Sequence, residues 1–133
     1  MKIAVATDDG LNIATHFGGS GRIHVYTLDE GSIVDKEERE KPGHEIFSAI
    51  ETHPQTDEKG RHGFGPDTEQ RHNDMFDVFK DCEALIVNMI GIGAYRHFSS
   101  RGVRVIATDI KDIDEALRLY AQAKLKHNAF MVD

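Results

Sequence analysis

Three short apolar runs, each closed by polar or glycine residues, most constrain the fold of this 133-residue chain. They cover residues 2–7, 84–88 and 103–107. A short apolar run bounded by turn signals is typical of a strand that is covered on both faces of a parallel sheet. We therefore predict three buried strands, with residues 2–7 forming the central one.

Alternating residues predict a hairpin after the first buried strand. Residues 22–28 alternate between two faces, as a half-buried strand requires, and residues 29–31 offer a turn into residues 32–34. The second strand of this hairpin is expected to fade into the charged residues 36–41.

Helical spacing predicts three helices between and after these strands. The first spans residues 68–80 and is capped by Asp67, and the second spans residues 94–100 and ends at Gly102. The last helix begins after Asp112, which is expected to cap it. Apolar stripes support the first and last helices and comprise Met75, Phe76, Phe79, Ile113, Ala116, Leu117, Tyr120 and Ala121.

The order of these elements predicts an α/β fold with three layers. A hairpin joined to right-handed strand-helix-strand crossovers gives a mixed five-stranded sheet flanked by helices. We expect residues 1–133 to form a single domain. Within it, residues 41–67 break the pattern, because all three prolines fall there. So long a connection is uncommon unless it is functional or mobile, and the sequence leaves both interpretations open.

Charge and cysteine content exclude several classes of partner and site. A formal net charge of −7, with scattered lysines and arginines, argues against nucleic acid as a partner. Cys82 is the single cysteine, so one copy offers neither an intrachain disulfide nor an all-cysteine metal site. The amino terminus does not resemble a signal peptide and no apolar run could span a bilayer. We therefore expect a soluble cytoplasmic protein without membrane contact.

Two glycine-flanked loops carry the candidate binding groups. One covers residues 15–19 and contains His16, and the other covers residues 89–94 and begins with Met89. Because each follows a predicted strand of one sheet, we expect both loops to open at the same end of it. An imidazole, a thioether and a run of backbone N–H donors suit a soft metal centre that carries negative charge. Binding of a cofactor or cluster is the leading hypothesis.

The order and spacing of these motifs resemble a known family. The opening residues 2–10, the His-Phe-Gly triplet at 16–18, and residues 81–82 leading to the loop at 91–94 resemble the dinitrogenase iron-molybdenum cofactor binding and biosynthesis family. The likeness runs nearly end to end and departs only in the proline-bearing excursion. It implies a ribonuclease H-like fold and a non-catalytic protein that holds or carries an iron-molybdenum or iron-sulfur cluster, or its precursor.

The resemblance also implies the residues of the site. His16 matches the histidine that is thought to contact the cofactor in the family, so we expect it to be a metal ligand. The other cofactor contacts expected from the two loops are Phe17, Gly18, Met89, Gly91, Ile92, Gly93 and Ala94. Cluster donor and acceptor proteins are the implied partners, and the sequence allows a monomer or a homodimer. A simpler interpretation stays open, in which Phe17 fills the core and the glycines serve only the turns.

Two other functions remain open at this stage. Histidines within the excursion, notably His53 and His62, suggest a zinc or transition-metal module, although their spacing matches no zinc signature. Asp8 and Asp109 each follow a predicted strand and suggest a metal-dependent hydrolase of ribonuclease H-like fold. Cys82 is interpreted as a packing residue, and His24 and His97 are interpreted as structural or surface residues.

Overall fold

The computed structural model describes residues 1–41 and 66–133, with the backbone alone described for residues 66–70. The strands are β1 (Lys2–Thr7), β2 (Arg22–Asp29), β3 (Ser32–Glu40), β4 (Ala84–Val87) and β5 (Arg104–Ala107). The helices are α1 (Pro66–Phe79), α2 (Ile92–Ser99) and α3 (Ile113–Ala121), followed by a 3-10 turn at Ala129–Met131.

The five strands form one mixed sheet in the order β3-β2-β1-β4-β5. β1 is central, as predicted, and pairs antiparallel with β2 and parallel with β4. β2 pairs antiparallel with β3, and β4 pairs parallel with β5. The prediction of an α/β fold with a mixed five-stranded sheet flanked by helices is confirmed.

Alternation along the strands creates two cores, one on each face of the sheet. The aromatic core contains Phe17, Met75, Phe79, Leu85, Ala94, Phe98 and their neighbours, and it lies under α1 and α2. The aliphatic core contains Ile3, Val5, Ile86, Ile106, Ile113, Leu117 and their neighbours, and it lies under α3. β1 and β4 supply side chains to both cores, which explains why their sequences are continuously apolar.

The hairpin and the first helix differ from the sequence predictions at their ends. β3 does not fade at residue 36 but runs to Glu40, because an exposed edge strand needs no apolar face. α1 begins at Pro66, so the prediction that Asp67 caps it is wrong. Proline suits the first helical position because its fixed φ fits the helix and its missing N–H would have no partner there.

The later helices follow their sequence signals more closely. α2 begins at Ile92, two residues earlier than predicted, and Gly102 follows it with φ of +93°. Asp112 caps α3 as predicted, since its Oδ2 accepts a hydrogen bond of 3.0 Å from the amide of Glu115.

Most of the excursion lies outside the described residues, and with it His53 and His62. The alternative of a zinc module on that segment therefore stays a prediction. Among residues 1–41 and 66–133, no helix is both long and apolar enough to cross a bilayer.

Candidate functional site

The two glycine-flanked loops are joined by their backbones. His16 and Met89 form an isolated parallel β-bridge. The amide of Phe17 donates to the carbonyl of Met89 at 2.8 Å, and the amide of Met89 donates to the carbonyl of Thr15 at 3.0 Å. The prediction that both loops open at the same end of the sheet is confirmed.

The chain before His16 fills the space between the ends of β1 and β4. Thr7 and Ile13 form an antiparallel bridge, and the amide of Ala14 donates to the carbonyl of Ala6 at 2.9 Å. From this point the chain continues to β2 on one side of β1, whereas β4 leads to β5 on the other side. In α/β sheets, ligands bind in the crevice outside the strand ends where the connections diverge in this way.

His16 and Phe17 occupy opposite surroundings although they are neighbours. The side chain of His16 is exposed. The side chain of Phe17 is 2% exposed, and its ring meets Phe98 and Phe79 edge-on at centroid distances of 5.5 and 6.5 Å. The ring of Phe17 anchors the loop in the core, and its amide is bonded to Met89, while the predicted cofactor contact at this residue stays a prediction.

Lys41 also holds this loop in place, a role that was not predicted from the sequence. Its side chain is buried, and Nζ donates to the carbonyls of Gly18 and Ser20, each at 3.0 Å. Nζ also lies 5.0 Å from the centroid of the Phe17 ring. Burial lowers the pKa of Lys41 to about 8, against the opposing effect of the Asp8 carboxylate.

The second loop offers backbone donors at the start of α2. Gly91 is the N-cap, in extended conformation with φ of −67° and ψ of 147°, and no side chain caps the helix. Among the described residues, no protein group accepts a hydrogen bond from the amides of residues 91–94. They lie at the positive end of the helix dipole, which favours an anion.

The side chains of this second loop differ in their access to a ligand. Gly91 is exposed, and a Cβ added there would meet nothing within 4 Å, so space is open in front of the loop. Met89, Ile92 and Gly93 are half-buried. Ala94 is buried in the aromatic core, so the predicted contact at this residue is restricted to its amide.

The carboxyl-terminal residues brace the second loop from the side. The amide of Ile90 donates to the carbonyl of Met131 at 3.1 Å, and the amide of Asp133 donates to the carbonyl of Ile90 at 2.9 Å. The side chains of Met131 and Val132 pack against the aromatic core. These contacts fix the chain immediately before Gly91.

The two carboxylates of the hydrolase hypothesis follow strands that are not neighbours in the sheet. Oδ1 of Asp8 accepts a hydrogen bond of 2.9 Å from the amide of Gly21, which ties the loop to the start of β2. Asp109 follows β5, which is separated from β1 by β4. Among residues 1–41 and 66–133, no group of three or more histidine, cysteine, aspartate or glutamate residues is placed to hold a metal ion. This arrangement gives the hydrolase alternative no support.

Asp9 also serves the loop. Its Oδ1 accepts hydrogen bonds of 2.8 Å from the amides of both Leu11 and Asn12. These bonds lower the pKa of Asp9 to about 2, with the amide of Asn12 as the largest cause. The acidic pair after β1 is thus a turn-forming element.

Three further residues are buried or half-buried in the core. Cys82 is 4% exposed and burial raises its pKa to about 12, with the Asp81 carboxylate adding to the effect, so it is an inert packing thiol. His24 is 4% exposed on β2. His97 is half-buried on α2, and its ring lies 5.5 Å from that of His72 on α1.

A shallow groove lies elsewhere, at the outer edge of β5. Its volume is about 370 Å³, and its lining includes Tyr95, Arg104 and His127. The loops of His16 and Gly91 do not line this groove.

Comparison with known proteins agrees with this architecture. Residues 1–123 match the sequence family described as Dinitrogenase iron-molybdenum cofactor. The uncharacterized protein MJ0580 of Methanocaldococcus jannaschii is 29% identical over 126 residues, which are 95% of this chain and 90% of that protein. PH0822 aligns with a TM-score of 0.65 at 22% identity, over 98% of this chain and 99% of that chain. MJ0327 of M. jannaschii, a "putative dinitrogenase", aligns with a TM-score of 0.62 at 14% identity, over 97% of this chain and 95% of that chain.

Proposed function

The chain belongs to the dinitrogenase iron-molybdenum cofactor family, and on that premise we propose that it binds an iron-molybdenum or iron-sulfur cluster, or a precursor of one. The cluster is cargo, and the chain performs no chemistry on it. The proposal rests mainly on the parallel β-bridge between His16 and Met89. This bridge brings an exposed imidazole to the same edge of the sheet as the amides of residues 91–94, which have no protein acceptor among the described residues.

Each loop contributes a different kind of contact. The imidazole of His16 is a ligand for iron or a similar transition metal. The amides of residues 91–94 and the dipole of α2 stabilise negative charge on sulfide or on an attached organic acid. Met89 adds a polarizable thioether between the two loops. The two loops together therefore recognise a metal centre and the anionic charge around it.

The ligand set is suited to a carrier. Within the described residues, His16 is the only side chain of the site that is a strong metal ligand, so most metal positions stay with sulfide, solvent or a partner protein. Weak and incomplete ligation allows the cargo to leave. We accordingly propose cluster donor and acceptor proteins as partners, in the cytoplasm.

The direct test is anaerobic reconstitution of the full chain with Fe²⁺ and sulfide, with and without molybdate. Metal content and visible absorption are measured for the wild type, for His16→Ala and for His127→Gln. His127 is the matched control because it is also exposed, and glutamine keeps an acceptor for the amide of Ala107. We expect sulfide-to-iron absorption in the wild type and the control and its loss in His16→Ala. Equal loading of all three proteins would overturn the assignment of His16.

A second variant tests the backbone donors without a change of charge. Ile92→Pro removes one amide at the first helical position, where proline is favoured, and the extended conformation of Gly91 suits a residue that precedes proline. Ile92→Ala is the control, because it loses the same side-chain packing but keeps the amide. We expect cluster loading to fall further in Ile92→Pro than in Ile92→Ala. Equal loading of the two would exclude a role for this amide.

A further inference from the structure

We propose that His72 and His97 form a second site, which binds a divalent transition-metal ion such as Zn²⁺. His72 lies on α1 and His97 lies on α2, so the ion would connect the two helices that cover the aromatic core. The proposal concerns side chains other than those of the His16 loop and does not depend on the proposed cluster binding.

The first support is the separation of the two rings. Their centroids lie 5.5 Å apart, and the ring planes meet at 63°. Two imidazoles that bind one ion at a Zn–N distance of about 2.0–2.1 Å in tetrahedral geometry hold their centroids about 5–6 Å apart. The observed distance therefore places both rings within reach of one ion, with rotation of the rings as the main adjustment.

The second support is that the pair is held in place before any ion binds. The ring of Phe98 lies 6.0 Å from that of His72 and 5.8 Å from that of His97. Phe98 is 0% exposed and makes edge contacts with Phe17 and Phe79, so it is a fixed wall beneath both imidazoles. Binding to a preformed pair loses little side-chain entropy.

The third observation is the exposure of the pair. Both histidines are half-buried, and Nε2 of His97 is shielded from solvent, so binding of an ion through this atom requires the ring to turn.

The donor set determines which ions fit. Imidazole suits zinc, copper and nickel, whereas magnesium and calcium prefer oxygen ligands. Two imidazoles fill half of a tetrahedral shell, which leaves two positions for other ligands. Such a site exchanges its ion readily, and binding stiffens the packing of α1 on α2.

The test is calorimetric titration of the metal-free full chain with Zn²⁺ at pH 7.5. His72→Phe and His97→Phe remove one ligand each while keeping a ring in place, and His127→Gln is again the control. We expect each phenylalanine variant to lose one equivalent of zinc, or at least tenfold in affinity for it, while the control behaves as the wild type. Wild-type stoichiometry and affinity in both variants would overturn the site.

Titration with Cu²⁺ and electron paramagnetic resonance supply a measurement that does not depend on packing. Nitrogen hyperfine structure from two imidazoles is expected in the wild type, and from fewer in either phenylalanine variant. An unchanged spectrum in both variants would place the copper, and the site, elsewhere. Circular dichroism of each variant verifies that the fold is retained.

Discussion

The two faces of the sheet share the same central strands but differ in chemistry. The aliphatic core under α3 consists largely of branched side chains, whereas the aromatic core under α1 and α2 is built around Phe17, Phe79 and Phe98. The candidate binding groups belong to the aromatic side. Phe17 anchors the His16 loop there, α2 starts with the open amides, and the imidazoles of His72 and His97 lie against Phe98.

In the proposed functions, one face is a scaffold and the other carries the binding groups. Branched aliphatic side chains interdigitate, and the polar side chains buried on this face include those of His24 and Tyr26. Aromatic rings make edge contacts with imidazoles and bind an ammonium group over their faces, at the boundary of the core. We therefore expect substitutions in the aliphatic core to lower stability alone, and substitutions in the aromatic core to lower both stability and ligand binding.

Truncation of a large side chain at the centre of either core should lower stability more than any other change considered. Phe98→Ala should lower the free energy of unfolding by about 3–5 kcal/mol, and Leu117→Ala by about 2–5 kcal/mol, because each opens a cavity. Denaturant titration measures both losses. Zinc titration below the unfolding transition should show weaker binding in Phe98→Ala alone. Equal weakening in Leu117→Ala would refute the division between the faces.

Two glycines, one on each side of the sheet, should differ in how well they tolerate substitution by alanine. Gly10 has φ of +77°, and an added Cβ would lie 2.9 Å from Cε1 of His24, so Gly10→Ala should cost about 1–3 kcal/mol. Gly91→Ala should change stability by less than about 0.5 kcal/mol, because its backbone is extended and its surroundings are open. Thermal unfolding of the two variants checks this, and similar melting temperatures would contradict it.

The half-buried imidazole of His72, on the aromatic side of the sheet, should make the free energy of unfolding depend on pH in acid. The pKa of His72 is lowered to about 4 by burial, so between about pH 6.5 and pH 4 the unfolded chain binds a proton that the folded chain does not. Stability from this residue is fully present above about pH 6.5 and declines as the pH falls through that window. Because solvent screens this half-buried residue, we expect a loss of about 1–2 kcal/mol, below the full value for such a shift.

His72→Phe should remove this part of the pH dependence. Denaturant titration at pH 7 and pH 4.5 gives the difference for the wild type and for the variant. The burial of His24 lowers its pKa as well, so an acid-dependent loss from the aliphatic side remains in both proteins. If His72→Phe loses as much stability in acid as the wild type, the imidazole of His72 is not shielded from protons.

A small effect is expected for the ion pairs at the rim of the aromatic side. Asp81 pairs with Nη1 of Arg39 at 2.8 Å and with Nζ of Lys2 at 3.3 Å, and these partners hold the pKa of Asp81 well below its usual range. The carboxylate is 44% exposed, so Asp81→Asn should cost no more than about 1 kcal/mol. The cost should shrink further in high salt. A larger loss that salt leaves unchanged would show that the pair is part of the core.

The sequence predicted those features that depend on local pattern. The buried strands follow from their apolar runs, the cap of α3 follows from Asp112, and the meeting of the two loops follows from their places after strands of one sheet. Sequence patterns mislead where contacts between distant parts of the chain determine the secondary structure. The charged β3 is a strand because β2 offers it an open edge, and no periodic apolar signal marks it.

The functional details that the sequence did not reveal involve residues far apart in the chain. Lys41 ends a charged run that looks solvated, yet it is buried because the carbonyls of Gly18 and Ser20 meet its ammonium group. His72 and His97 lie on separate helices, and only the packing of α1 against α2 makes them neighbours. The sequence around each of these residues does not indicate which distant residues it contacts.

The hydrogen bonds between the His16 loop and Met89 make the candidate site depend on the folded sheet. They join residues that are distant in sequence and lie at the ends of β1 and β4, which pair in parallel. A partly folded chain has an imidazole and a glycine loop but no common edge to present them. In the proposed function, uptake of a reactive cluster is thereby confined to chains that have finished folding, and the cargo is kept from nascent or damaged copies.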